Sequence, residues 1–445
     1  MGRERRVLAH DWFDVHRTER TLERVRSPSN SGGPSVTPVA AAPRAEETQR
    51  GAYSLLLVLS GVALGVSGLP APLYGMYEEK WHLSPLSTTL VFAVYAIAAL
   101  GAVLVAGKVS DVVGRKPVLL GALVAMIAGL GIFLLADGMA MLMLARVIHG
   151  AAVGSIVVAG AAALLDLRPH HGVRTGQLSG VAFNIGMTVA IVGSAVLAQY
   201  APHPMRTPYA IVAVICAVLG IGVLALREPH LSRTRGPIRI AKPAVPPEIR
   251  GDFWFAALGA TASWSVLGVL LSLYPSLAAQ QTHVHNLVFG GSVVGTTAFA
   301  AAMAQLFSTR IPARWSAIIG DVGMAAALIL TIPVLATHSW PLVLAAAAVL
   351  GATFGLGFGG SLRHLSHVVP ANRRGETMSA FYLMAYSAMA VPTIAAGWAA
   401  TRWSLGEVFP WFAVLVAIAC VAAAAVGAVS TRRAAAPAQA AEVTR

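Results

Sequence analysis

Twelve apolar stretches dominate this chain and constrain its fold more than any other feature. A helix rises about 1.5 Å per residue, so about 20 residues carry it across a hydrocarbon layer roughly 30 Å thick. Lipid offers no partner for backbone N–H and C=O groups, so a spanning segment must be a helix or part of a closed barrel. Barrel strands would show about ten residues of alternating polarity, and no such pattern appears. Of the 445 residues, 56% are hydrophobic and only 11% charged, with a mean hydropathy of +0.70. That is too little charge to cover a soluble body of this size. The fold class is therefore an all-α polytopic membrane protein.

The stretches fall at about 52–74, 86–106, 117–136, 140–165, 177–199 and 207–226, then 253–279, 287–308, 315–336, 341–362, 377–398 and 408–430. This predicts a tail over 1–50, a six-helix bundle over 51–226, a central loop over 227–252, a second bundle over 253–430 and a tail over 431–445. Residues 1–50 are charged, rich in Ser, Pro and Gly near Pro34, and lack an apolar core before a cleavage site. They read as a disordered cytoplasmic tail. The formal charge of +13 raises the question of nucleic acid, but the cations follow topology instead. Of 32 Lys and Arg, 28 lie in the two tails and in alternate connections, while the other face holds Lys80, Arg206 and Arg402, and Arg146 lies within a span. Such asymmetry predicts a multi-pass inner-membrane protein with both termini and the central loop in the cytoplasm.

The halves echo each other at an offset near 200 residues. Leu73-Tyr74 recurs as Leu273-Tyr274, Gly150 and Gly154 recur as Gly351 and Gly355, and Pro169, Arg174 and Ser179 recur as Pro370, Arg374 and Ser379. Because six spans return the chain to the same side, the two copies are parallel repeats, an arrangement suited to rocking about a midplane site.

Between the second and third spans stands Gly107-Lys-Val-Ser-Asp111-Val-Val-Gly114-Arg115-Lys116-Pro117. It resembles the G-x-x-x-D-x-x-G-R-[RK] signature of the major facilitator superfamily, with every fixed position matched. Arg146-x-x-x-Gly150-x-x-x-Gly154 resembles a second pattern of that family, its glycines on one face for close helix approach. The resemblance covers residues 51 to about 430. It implies a solute transporter of two six-helix bundles, without catalytic residues, in which the first motif locks the outward-facing state and Asp166 is a partner for Arg115. The family's Gly-Pro motif of antiporters is not intact, since Gly186 to Ser194 contains no proline. The second-half counterpart, Leu306 through Arg314, keeps the final Arg and lacks the glycines and aspartate.

Chemistry inside the membrane requires polar groups there, and these are few. Arg146 and His149 lie one turn apart in the fourth span, Arg146 facing the interior, a watery cavity or the headgroups, His149 a coupling group or a packed histidine. Asn184 is a helix–helix hydrogen bond or a substrate contact. Trp264, flanked by Ser263 and Ser265, is mid-span, and Tyr382 and Tyr386 share a face at i, i+4. These six are the candidate lining of a central cavity. Asp111, Asp166, Asp252 and Asp137 fall at span ends, and Asp321 lies about two turns into the ninth span.

Cys216 and Cys420 sit in apolar stretches as packing residues, and Met139, Met141 and Met143 read as helix filling rather than a copper path. His170-His171 and His283-x-His285 lack the partners that a transferase or metal site needs. No phosphate-binding Gly-x-x-x-x-Gly-Lys loop is present, so the expected driving force is an ion or solute gradient, with proton coupling left open and no cofactor or metal. The expected function is export of amphipathic or drug-like small molecules by a monomer of the drug-efflux-like branch, in contact with lipid and not with nucleic acid. The alternatives are an uptake permease for a sugar or organic acid and a polytopic membrane enzyme. A direct check of the topology is thiol accessibility: Ile240→Cys and Lys80→Cys should react with impermeant reagents from opposite sides, and reaction from one side would refute the span map.

Overall fold

A computed structural model describes residues 43–230, 242–370 and 373–443. The remaining positions, including most of the expected N-terminal tail and much of the central loop, lie outside the described residues. Every regular element among those described is helical. Among the described residues, twelve helices are long and apolar enough to cross a membrane. We number them α1 (Gln49–Trp81), α2 (Pro85–Val113), α3 (Arg115–Leu135), α4 (Met139–Leu167), α5 (Gly172–Tyr200), α6 (Thr207–Ala225), α7 (Pro247–Ser272), α8 (Leu287–Arg310), α9 (Ala313–Ala336), α10 (Trp340–Val368), α11 (Arg374–Arg402) and α12 (Leu405–Val429).

Three boundaries differ from the sequence expectation. Helix begins at Pro43, inside the supposed tail, and the helix containing α12 runs on to Val443. The first span does not end near Tyr74. It breaks after Gly68, where Pro70 cannot donate a backbone bond, passes through one 3-10 turn at Ala71–Leu73 and resumes as Tyr74–Trp81. The second half repeats this: α7 ends at Ser272, and a further helix runs over Tyr274–Thr282. Both extensions end on a histidine in the left-handed region, His82 and His283. The repeated Leu-Tyr pair thus marks a break in each copy, not a span end.

Packing carries the duplication further. Helix α2 lies on α4, α3 on α4 and α6, and α1 on α5; adding six to each label gives the second half, α8 on α10, α9 on α10 and α12, and α7 on α11. The halves meet along α5 with α8 and α2 with α11, pairs related by the same shift. Helices in lipid associate through close packing rather than through hydrophobic driving force, so small residues decide where backbones touch. A Cβ on Gly154 would lie 2.5 Å from the Ala99 carbonyl oxygen, and one on Gly355 would lie 2.5 Å from that of Ala301. Gly150 and Gly351 are equally confined, against Tyr95 and Thr297. The four glycines therefore hold α4 on α2 and α10 on α8. Gly154→Leu should cost about 1–3 kcal/mol by forcing these helices apart. Gly121→Ala, on a face with nothing within 4 Å, should leave the thermal midpoint of the detergent-solubilised protein unchanged.

Candidate functional site

The turn between α2 and α3 is built around Gly114, whose φ of 113° favours glycine. It delivers Arg115, only 6% exposed, into the first half. Arg115 Nη1 donates to Asp111 Oδ1 at 2.6 Å and to Ser110 Oγ at 2.6 Å, and Nε donates to Asp166 Oδ2 at 3.0 Å. The guanidinium fork thus joins α2, α3 and α4, a geometry that a lysine could not reproduce. Gly107, one side of the same motif, lets Val158 of α4 approach. Sequence reasoning missed the last member. Glu228, just past α6, accepts from the Arg115 and Lys116 backbone N–H groups at 2.8 and 3.1 Å. These are orphan amides of the first turn of α3, where a carboxylate also meets the positive end of the helix. Lys116 Nζ closes the ring by donating to the carbonyls of Leu224 and Leu226 at the end of α6. His230 Nδ1 lies 3.2 Å from Asp166 Oδ2.

The second half has its own cluster at the corresponding end. Asp252 of α7 lies 3.5 Å from Arg314 Nη1 and 2.8 Å from His364 Nε2 of α10, and both Arg314 and His364 lie against the Phe255 ring. The retained Arg314 of the decayed motif was legible. Its carboxylate partner comes from a different helix, about 60 residues earlier in the chain.

Of the positions open to them, Arg146 and His149 take packed ones inside the first half, at 1% and 0% exposure, and do not line a central cavity. The break in α1 explains why. It leaves carbonyls near Ser67 and Leu69 without helical partners. Arg146 Nη1 donates to the Ser67 carbonyl at 3.0 Å, and Ser194 Oγ to that of Leu69 at 2.8 Å. Arg146 Nε and Nη2 donate to the Tyr74 hydroxyl, and the guanidinium stands 5.3 Å from the Tyr95 ring and 6.0 Å from that of Phe133. Aromatic faces and a carbonyl thus offset the burial of the charge. His149 lies edge-on to Tyr95 and Phe133, and neither ring nitrogen has a hydrogen-bond partner.

Four other candidates lie where the halves meet. Asn184 Nδ2 donates to its own helix at Gly180 (2.9 Å) and across the seam to Gln305 Oε1 of α8 (3.3 Å), while Gln177 Nε2 reaches the Leu306 carbonyl at 2.8 Å. Trp264 packs against Tyr386 at 4.7 Å and Phe358 at 5.6 Å between ring centroids. Trp264 and Tyr382 are half-buried and pack on the apolar core of the first half, which also takes in Tyr386. The Trp264 indole N–H is buried without a partner.

At the charge-poor end the seam is clipped twice. The Leu86 N–H, in the first turn of α2, donates to Thr401 Oγ1 of α11 at 3.1 Å. Its repeat counterpart, the Leu287 N–H of α8, donates to Gln199 Oε1 of α5 at 2.9 Å. Each half thus satisfies an orphan helix amide of the other.

The motif cluster yields a graded expectation. Arg115→Ala removes the cation shared by Asp111 and Asp166, leaving Asp166 only His230 and Asp111 only Lys108 at 3.9 Å, and should cost about 1–3 kcal/mol, with Arg115→Lys recovering little. Glu228→Gln keeps one acceptor and should cost about 1 kcal/mol or less. Thermal unfolding in detergent ranks the three; equal midpoints would discount the cluster.

Residues 55–311 and again 253–444 match the model of the Major Facilitator Superfamily. Among curated proteins no relative matches. The family consists of secondary transporters of small molecules, not enzymes. With the matched model covering nearly all of the twelve-helix body, the chain belongs to the Major Facilitator Superfamily.

Proposed function

We propose that this transporter exports small amphipathic, drug-like solutes by alternating access, its halves at 51–226 and 253–430 rocking about a central site within one chain. The proposal also sets it in the inner membrane with the charge-rich face and both termini in the cytoplasm, on the strength of the cation asymmetry. The observation that carries the substrate class is the Trp264 group. The half-buried Trp264 packs on Tyr386 and Phe358, it shares the core at the seam with Tyr382 and Tyr386, and its indole N–H has no protein acceptor. Flat apolar surface with one unsatisfied donor suits an amphipathic molecule carrying an acceptor. An acid permease would draw on Arg146, which is already bound to Tyr74 and the Ser67 carbonyl inside one half. The clips at Leu86 and Leu287 with the Gly397–Thr89 approach at the charge-poor face, and Gln177 on the Leu306 carbonyl toward the other face, support a conformation bridged at both ends of the seam, one end of which is undone on opening.

Flux of neutral fluorescent amphipaths into everted vesicles tests this reading. Trp264→Ala should raise the half-saturating concentration about tenfold or more, the usual effect of removing a buried aromatic anchor. Accumulation only in right-side-out vesicles would show uptake instead. An unchanged concentration dependence in Trp264→Ala would remove the aromatic group from the site.

A further inference from the structure

Asp321 is a carboxyl of the second half that the packing leaves without a partner. It lies on α9 at 0% exposure, and neither carboxylate oxygen has a hydrogen-bond partner. Ser361 of α10 is likewise fully buried and its hydroxyl unpartnered. Both point at a notch opposite Gly259 of α7. A Cβ placed on Gly259 would lie 2.9 Å from Asp321 Oδ2, 2.9 Å from Ser361 Oγ and 3.2 Å from Asp321 Oδ1. Three unsatisfied oxygens from two helices therefore surround one point, and the third helix leaves that point clear by having no side chain there.

The notch lies directly inward of the Asp252 cluster. Gly259 is seven residues along α7 from Asp252, and Asp321 is seven along α9 from Arg314, so each stays on the same helix face about two turns deeper. Ser361 precedes His364 by three residues on α10, one turn away. The three helices thus build two tiers. The outer tier is wet, Asp252 being 31% and His364 12% exposed at the side chain. The inner one is dry. The first half has no such tier: seven residues after Arg115 stands Ala122, a buried packing residue. The duplicated scaffold does not itself require a carboxyl there.

We propose that Asp321 is a proton-binding site reached from the outer tier, and that the proton it takes up and releases couples to the transport proposed above. The carboxylate gains a proton delivered by water through the His364 tier and returns it to water when the halves change facing. No bond other than O–H forms or breaks. A proton fits better than a metal cation, because three oxygens with one carboxylate are too few for sodium or calcium coordination. An ionised carboxylate with no donor and no counter-charge is disfavoured in a bundle interior, whereas the acid can donate to Ser361 across the notch.

The charged and titratable side chains of the helices packed around it are engaged elsewhere or carry no positive charge. Cys420 of α12 is a buried free thiol and carries no positive charge. Asp252, Arg314 and His364 engage one another. Arg363 donates to the Ser308 carbonyl, and Arg310 lies over Phe307. Tyr274, in the helix after α7, packs on Phe409.

The binding site does not depend on the transport reading; the coupling role does, and the test separates them. The full chain in liposomes is treated with a hydrophobic carbodiimide, which adds to protonated carboxyls in apolar surroundings, and the adduct is located by mass spectrometry. Asp321 should be modified at about pH 6 and several-fold less toward about pH 9.5, and Asp321→Asn should lose the adduct. In the same liposomes Asp321→Asn should abolish pH-gradient-driven accumulation of a neutral fluorescent amphipath while keeping its downhill exchange. Modification without flux of any probe would uphold the proton site and defeat the transport reading. An Asp321 unmodified at either pH, or modified equally at both, overturns the site. Full gradient-driven accumulation by Asp321→Asn overturns its coupling role.

Discussion

Close backbone contact at small residues is the constraint on which this architecture depends. Surrounded by lipid, two helices gain no hydrophobic free energy by touching, and dispersion must supply the attraction. Dispersion falls steeply with distance, so it matters most where side chains are absent. Gly150 and Gly154 bring α4 onto α2, and Gly351 and Gly355 bring α10 onto α8 in the same relation. Once these pairs are drawn together, α3 and α9 each find a groove to fill, and the breaks after Gly68 and Ser272 allow α1 and α7 to bend at the charge-poor end.

Polar groups then go where that packing leaves backbone unsatisfied. Arg146 and Ser194 cover the carbonyls exposed by the break in α1. Glu228 caps α3, and Thr401 and Gln199 meet the first-turn amides of α2 and α8 across the seam. The distinction between these two uses matters for function. Arg146 and Glu228 bind partners within one half and tie its helices to one another. Thr401 and Gln199 bind partners in the other half, so on the proposed rocking of the halves they would hold one arrangement and not the other. The seam joins hydrogen bonds at its ends to an aromatic group at Trp264, whose indole N–H has no partner.

Much of this was legible in the residues, and the failures have a common cause. The twelve spans, the duplication and the Gly107-to-Lys116 motif depend on local pattern, and the motif turn with its Arg115–Asp166 pair appears as the motif implied. For Arg146 and His149 the residues alone leave a cavity wall and a packed interior both open, because depth along a helix can be counted whereas azimuth cannot. One charged residue in a span faces an interior, but the sequence does not say whether that interior belongs to one half or lies between two. Glu228 could have been suspected from its position shortly after a span end in a loop otherwise rich in arginine. Gln305 carried no signal at all, since a single amide near a span end is ordinary.

By itself, then, the order of residues determined the class of fold, the count of spans, the twofold repeat and the family, because each follows from hydrophobic length and short-range spacing that survive without knowing any neighbour. Tertiary structure alone decided which polar groups are paired within a half, which bridge the seam and which, like Asp321, have no partner. Those outcomes depend on the angle at which each helix presents its faces, and that angle is set by glycine contacts between helices about 50 residues apart in the chain.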